Sequence, residues 1–454
     1  MNELQAGAAK LCIDPAPEMF PFPPFWGVAK EGIYASMYVR ALALKNEEKT
    51  FVIVCYEFQS ADASLRAEAS RKYGIPEEQF LFCNIHNHGG PYMGGGPGRS
   101  ENIVKDCRAE YEAFLREQAL AVIGLALERL RPARIGYGEG KSYINVNRDL
   151  QLEDGSWSQA DNYEAPSDKT LAVVKIEDQE GNLIAALLNH CTHANLTFLC
   201  KDKDGVSKSC ADFPGFTCDY IEKRYGNDAV VLWTSGAAGN QNAIPCFRGE
   251  PHYTGEDLTN FCPPYGLGYQ YAQYIGEYHA IDACKVLKNI VCDADTVKLQ
   301  CASTIIEFDE QGMPEGTNHM MQTLRAQNSV KIMEALFPDQ VKDGRIVDRT
   351  LTEGFATGKK IPSRMQLFLL GDVAIVTSEA ELYNEIGTLL KENSPMKNTF
   401  VVTHASGLGN RVGYVQDDSS ATHPVFQHFG SVRPGNCNSI VLKGMKKLFQ
   451  QVTV

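Results

Sequence analysis

The 454-residue sequence is short of basic charge, of paired cysteines and of long apolar runs. Lys and Arg number 43 against 56 Asp and Glu, a formal net charge of -13. That balance argues against a nucleic-acid backbone or an anionic membrane surface as the main partner and leaves a small-molecule substrate as the expected one. A bilayer span needs roughly 20 apolar residues, and the best runs, "FVIVCYEF" and "AVIGLAL", are far shorter. The N-terminus "MNELQAGAAKLCIDPAPEM" shows no basic segment followed by an apolar core, so no secretory signal is expected. The 14 cysteines are scattered without a CxxC pair, the pattern of reduced, buried thiols in a soluble cytoplasmic protein. Internal repeats and linkers rich in Pro, Gly or Ser are also missing, so residues 1–454 are read as one domain.

What is present is a mixture of strand and helix signals. "RALALKN" and "TFVIVCYEF" form a hairpin pattern around the polar turn "NEEK". "ADASLRAEASRKYG" has helical periodicity and stops at a glycine. From about Cys107 to Arg131, Tyr111, Phe114, Leu115, Ala119, Val122 and Leu125 recur at helical spacing. Further strands are read at "QFLFCNIHNH", "TLAVVKIED", "LIAALLNHC", "AVVLWTSG", "MQLFLLGDVAIVTSE" and "TFVVTHAS". The fold class is therefore mixed α/β, with strands enough for more than one sheet. The segments Phe247–Tyr269 and Gln311–Leu351 are the least regular and read as loops or lids.

Polar residues of catalytic type gather at the strand ends. His86 and His88, two apart on an expected strand end, would share a face. They are suited to one ion, or to one ligand and one proton donor. The "GGPYMGGG" that follows can bring backbone close to a ligand. Taken alone, an HxH pair reads more readily as structural or surface imidazoles before a turn. His190 and His193 in "LLNHCTHANLT" end another strand, with Asn189, Thr192 and Asn195 able to orient an imidazole. "SGAAGNQNAIP" can offer backbone N–H groups to an oxyanion or simply pack under a helix. Glu379, Glu381 and Glu385 cluster after another strand, Glu381 and Glu385 sharing a face if helical. Tyr414 lies between two small-residue turns. Arg148 in "NVNRD" can hold a carboxylate through its planar fork, whereas Arg40 reads as a structural ion pair. His423 and His428 follow Tyr414 as candidate proton shuttles or substrate contacts, and Cys191 reads as a buried thiol.

In this order the pieces resemble the catalytic domain of the neutral/alkaline, non-lysosomal ceramidases. "NIHNHGGP" is similar to that family's HTHSGP, "LLNHCTHAN" to its Asn-x-x-x-His strand end, and "CADFPG" to its Asp-Tyr/Phe-Pro-Gly. "GAAGNQNAIP" is similar to its glycine loop, "LGDVAIVTSEAELYNEIG" to its PGE-containing segment and "NRVGYV" to its zinc-tyrosine segment. The resemblance implies two packed mixed β-sheets flanked by helices. It implies one Zn2+ held by His86, His193, Glu381 and Tyr414, with His88 assisting the water or the oxyanion.

The departures narrow the chemistry. Asn242 stands where the family has its nucleophilic serine, Asn240 where it has an acidic residue, and Phe426-Gln427 where it has a Tyr-Glu pair. The sequence ends where the family continues into a β-sandwich domain. The expectation is a zinc-dependent hydrolase that cleaves an amide, or an ester or lactone, in a small polar substrate other than ceramide. His86, His88 and Asn242 form the catalytic group, and Gly89, Gly236, Gly239, Asn240, Arg148 and His423 line the substrate. Two alternatives stand beside it. One is a zinc-dependent isomerase or lyase on a carbohydrate-like substrate, with His88 or Glu379 moving a proton. The other is a non-catalytic metal or small-molecule binding protein.

Overall fold

The computed structural model describes residues 3–25, 28–59, 62–93, 106–198, 200–226, 228–244, 267–326, 338–344, 350–409 and 412–452. Gly94–Gly96 of the glycine tail, and Phe247–Tyr269 as far as residue 266, lie outside them. Eight strands run in the order Val230–Ser235, Leu183–His190, Thr170–Asp178, Arg131–Lys141, Gln5–Cys12, Tyr38–Lys45, Thr50–Tyr56 and Phe80–Asn84. The halves are joined where Gln5 and Ala6 pair with Pro132 and Arg131. They fold over each other there: Val230–Ser235 lies against Tyr38–Lys45, Thr50–Tyr56 and Phe80–Asn84, and Cys55 Sγ donates to Trp233 O at 2.9 Å. The result is two packed mixed sheets, as expected for a ceramidase-like α/β fold.

The sequence explains this layering. Strands such as Thr50–Tyr56 and Leu183–His190 are continuous Val, Ile, Leu and Ala runs buried on both faces. Each buried aliphatic side chain contributes about 1.5–3 kcal/mol. Helix Arg108–Glu128 covers Gln5–Cys12 with Tyr111, Leu115, Ala119 and Val122, all buried as their spacing predicts. Gly7 permits that approach, since a Cβ there would lie 2.2 Å from Ala126 O. Helix Leu65–Tyr73 ends at Gly74, whose φ of 67° only glycine adopts without strain.

A four-stranded sheet, Leu299–Gly312, Phe355–Leu370, Val373–Ser378 and Asn398–Val402, completes the frame. The stretch "LFLLGDVAIV", read as one strand, is a hairpin that turns at Gly371, φ 64°. The irregular stretch Gln311–Leu351 contains helices His319–Ala326 and Pro338–Lys342, and Tyr269 already belongs to helix Leu267–Asn289. Among the described residues no helix is long and apolar enough to cross a membrane.

Parallel pairing decides where the site forms. Thr50–Tyr56 pairs in parallel with Phe80–Asn84, Leu183–His190 with Val230–Ser235, and Val373–Ser378 with Asn398–Val402. The chain segments leaving these strands are then tied together: Thr403 N donates to Ser235 O, Ala405 N to Ser378 O and Ser406 N to Phe82 O. The strand ends that lead to His86, His193 and Glu381 meet at this seam.

Candidate metal centre

His86 and His404 enter the site through one asparagine. The strand Phe80–Asn84 stops at Asn84, whose Oδ1 accepts from His86 N at 2.9 Å and whose Nδ2 donates to His404 O at 3.0 Å. Both histidines take left-handed backbone, φ 54° and 52°, a conformation non-glycine residues hold only when their surroundings enforce it. Strand alternation therefore does not govern His86 and His88. The turn brings them together instead, with ring centroids 4.7 Å apart. His88 N donates to Ala194 O at 2.9 Å, and its ring packs edge-on against Phe198. Asp212 fixes the segment that bears Phe198 by accepting from Thr197 N at 2.7 Å and Thr197 Oγ1 at 2.6 Å.

His193 comes from the segment after Leu183–His190 and is almost fully buried. Its Nδ1 contacts Ala238 O at 2.7 Å and Gln241 O at 3.0 Å. Carbonyl oxygens only accept, so Nδ1 carries the hydrogen and the Nε2 lone pair faces the site. Burial holds this imidazole well below its ordinary pKa and lowers that of His86, so both are neutral near pH 7.

Glu381 is delivered by the short strand Glu381–Leu382, paired in parallel with Tyr414–Val415, and not by a helix; only Glu385 lies in helix Asn384–Glu392. Its Oε2 lies 3.4 Å from His86 Nε2 and 3.3 Å from His193 Nε2. Both His193 Nε2 and Glu381 Oε2 are buried and lack a hydrogen-bond partner. Two imidazole nitrogens converging on one carboxylate oxygen, with the His193 lone pair facing it, fit a divalent cation, and the N/N/O donor set suits zinc.

Arg148 closes the site on one side. Its guanidinium donates to Asn242 Oδ1 at 3.0 Å, Gly239 O at 2.5 Å and Tyr414 Oη at 3.2 Å, and lies over the Phe426 ring. Those acceptors are neutral and its Nε has no partner, so the buried cation is suited to an anion or a developing oxyanion. Asn242 Oδ1 also accepts from Asn195 at 2.9 Å, which fixes the Asn242 amide. Burial, then Glu381, raise the Tyr414 phenol, against the opposing charge of Arg148.

Other candidates fall elsewhere. Gly236 N donates to His190 O and Gly239 N to Leu382 O, so neither glycine is an oxyanion donor as the loop reading expected. Gly89 N donates to Asn87 Oδ1, and the residue is glycine because a Cβ would lie 2.0 Å from Thr197 Oγ1. Asn240 is committed to Glu385 and to Asn384 N. Glu379 accepts from Arg364 N and Leu408 N, which makes it a latch rather than a proton carrier. His190 joins a core network with Thr192, Ser142 and His279. His423 stacks on Trp157 and lies 4.0 Å from Asp149 Oδ2, while His428 meets Gln416. Burial pushes the Cys191 thiol up to about 12, so it stays protonated. Arg40 is a buried ion-pair partner of Glu57 and Glu222.

His404 was missed by the sequence reading, although "TFVVTHAS" was read as a strand. Its ring stacks on His86 at 4.0 Å and 13°, and its ligand nitrogen, with His86 and Glu381, forms a group within 4.8 Å. A second such group is His86, His88 and His193. A lone histidine past an apolar run is weak, but it ends a strand as His86 and His193 do.

No protein-family model matches the chain, and no curated protein matches it in sequence. Its fold is similar to the crystal structure of neutral ceramidase from Pseudomonas aeruginosa, with a TM-score of 0.69 at 14% identity over 98% of this chain and 74% of that one. A structure described as ceramidase complexed with C2 matches with the same score and coverage at 15% identity. The architecture is thus ceramidase-like.

Proposed function

We propose that this protein is a metal-dependent hydrolase that cleaves an amide, or less readily an ester or lactone, in a small polar molecule of the cytoplasm. The observation that carries the reading is the convergence of His86 Nε2 and His193 Nε2 on Glu381 Oε2, where the His193 and Glu381 atoms are buried with no hydrogen bond between them. The ceramidase-like fold supports hydrolysis, and the free cysteines among the described residues suit a reducing compartment. His86, His193 and Glu381 would hold zinc, with Tyr414 at its edge. Zinc there lowers the pKa of a water and polarises a carbonyl.

The rest of the chemistry belongs to side chains. Asn242 cannot form an acyl-enzyme, so water supplies the oxygen that joins the carbonyl carbon while the C–N bond breaks and the amine leaves protonated. Arg148 faces the oxygen that gains charge. His88, beside both His86 and His193, is placed to move the proton from water to the amine. Asn242 and Asn195 fix the polar wall that orients the substrate.

The test is chelation followed by zinc return, against N-acyl amides, lactones and sugar acids. Amine or acid release that vanishes on chelation and returns with zinc supports the reading. Activity indifferent to chelation, or conversion without change of mass, contradicts it.

A further inference from the structure

His404 is one donor more than the proposed ion needs, and its geometry keeps it off that ion. An imidazole lone pair lies in the ring plane, so a bound cation must lie near that plane. The His86 and His404 rings are nearly parallel, 13° apart, with centroids separated by 4.0 Å. An ion in the plane of one ring is therefore displaced from the plane of the other by most of that spacing. Yet the His404 nitrogen belongs to the group with His86 and Glu381 whose ligand atoms lie within 4.8 Å of one another. It faces the same carboxylate.

We propose that His404 and Glu381 seat a second divalent cation beside the one held by His86 and His193, an inference that rests on the metal reading above. Glu381 then bridges two ions. Nearly parallel rings at that centroid spacing leave room for the separation of about 3.5–4 Å found in hydrolytic two-metal centres. The frame is built for it. Asn84 holds the backbones of both histidines, and His86 and His404 are two of the three non-glycine residues at positive φ among the described residues. With only two protein donors this seat leaves positions for water or substrate, and it is the weaker of the two.

Metal-free protein is titrated with Co2+ while its d–d absorption is followed, and zinc-loaded protein is measured by elemental analysis. The expected result is two equivalents bound by the wild type and one by His404→Phe, which keeps a flat ring on His86 but removes the donor. Saturation of the wild type at one equivalent overturns the second seat and leaves the first. Two equivalents in both proteins also overturn it, because the second ion then sits elsewhere. No bound metal at all overturns the metal reading itself. Should His404→Phe not fold, the wild-type dicobalt protein decides: a spin-coupled EPR signal supports the pair, and uncoupled ions contradict it.

Discussion

His193 Nε2 and Glu381 Oε2 lie 3.3 Å apart, both buried, and no hydrogen bond joins them. The hydrogen on the other ring nitrogen is committed to Ala238 O and Gln241 O, so a lone pair confronts a carboxylate. In low dielectric that contact is repulsive until a cation occupies it. Removing either group should therefore release the metal. His193→Ala and Glu381→Gln are expected to lose bound zinc and at least about a hundredfold in activity, since partners outside the ligand set already cost 10–100-fold. Elemental analysis and rates on the same preparations check this; full zinc occupancy in either variant contradicts it.

Arg148 spends its fork on Gly239 O, Asn242 and Tyr414. Arg148→Lys retains the charge but not the planar set of donors. Activity should fall about 10²-fold, mainly in kcat, if the group faces a developing oxyanion. A change confined to KM would instead assign it to ground-state binding.

Gly89 faces Thr197 so closely that a Cβ would lie 2.0 Å from the hydroxyl. Gly89→Ala must displace the Thr197 segment that Asp212 anchors and that carries Phe198 against His88. A loss of about 1–3 kcal/mol is expected in denaturant titration, and Gly89→Ala with Thr197→Ala should recover part of it. Unchanged stability in Gly89→Ala would mean that the segment moves freely.

Glu385 is raised from 4.5 to about 7, by burial first and with the Asp417 charge adding to it, while Asn240 donates to it. A carboxyl raised in the folded state holds a proton that the unfolded chain has lost. Its stabilising effect is complete below pH 4.5 and is lost as pH rises through about 7. The change is on the order of 2 kcal/mol after allowance for partial exposure. Glu385→Gln keeps an acceptor for Asn240 and should flatten the fall in melting temperature between pH 5 and 7. An identical slope in both proteins contradicts the assignment.

Much of this was legible because strands buried on both faces are written as Val, Ile and Leu runs. His86, His193, Glu381 and Tyr414 were legible as polar residues leaving such runs in a ceramidase-like order, and the structure places them side by side. Tertiary pairing was not legible. The N–H groups of Gly236 and Gly239 are consumed by His190 and Leu382, partners distant in sequence. His86 reaches His88 through left-handed backbone rather than strand alternation. His404 stood alone in its segment, and only the bond from Asn84 to its carbonyl reveals that it shares a support with His86. The turn at Gly371 was marked only by the Gly371-Asp372 pair between two apolar runs.

The central claim is a cation between His86, His193 and Glu381, and anomalous X-ray scattering at the zinc edge tests it most directly. The account predicts a peak about 2.0–2.2 Å from both Nε2 atoms and the Glu381 carboxylate. A site without anomalous density, in which a proton joins His193 Nε2 to Glu381 Oε2, would contradict it.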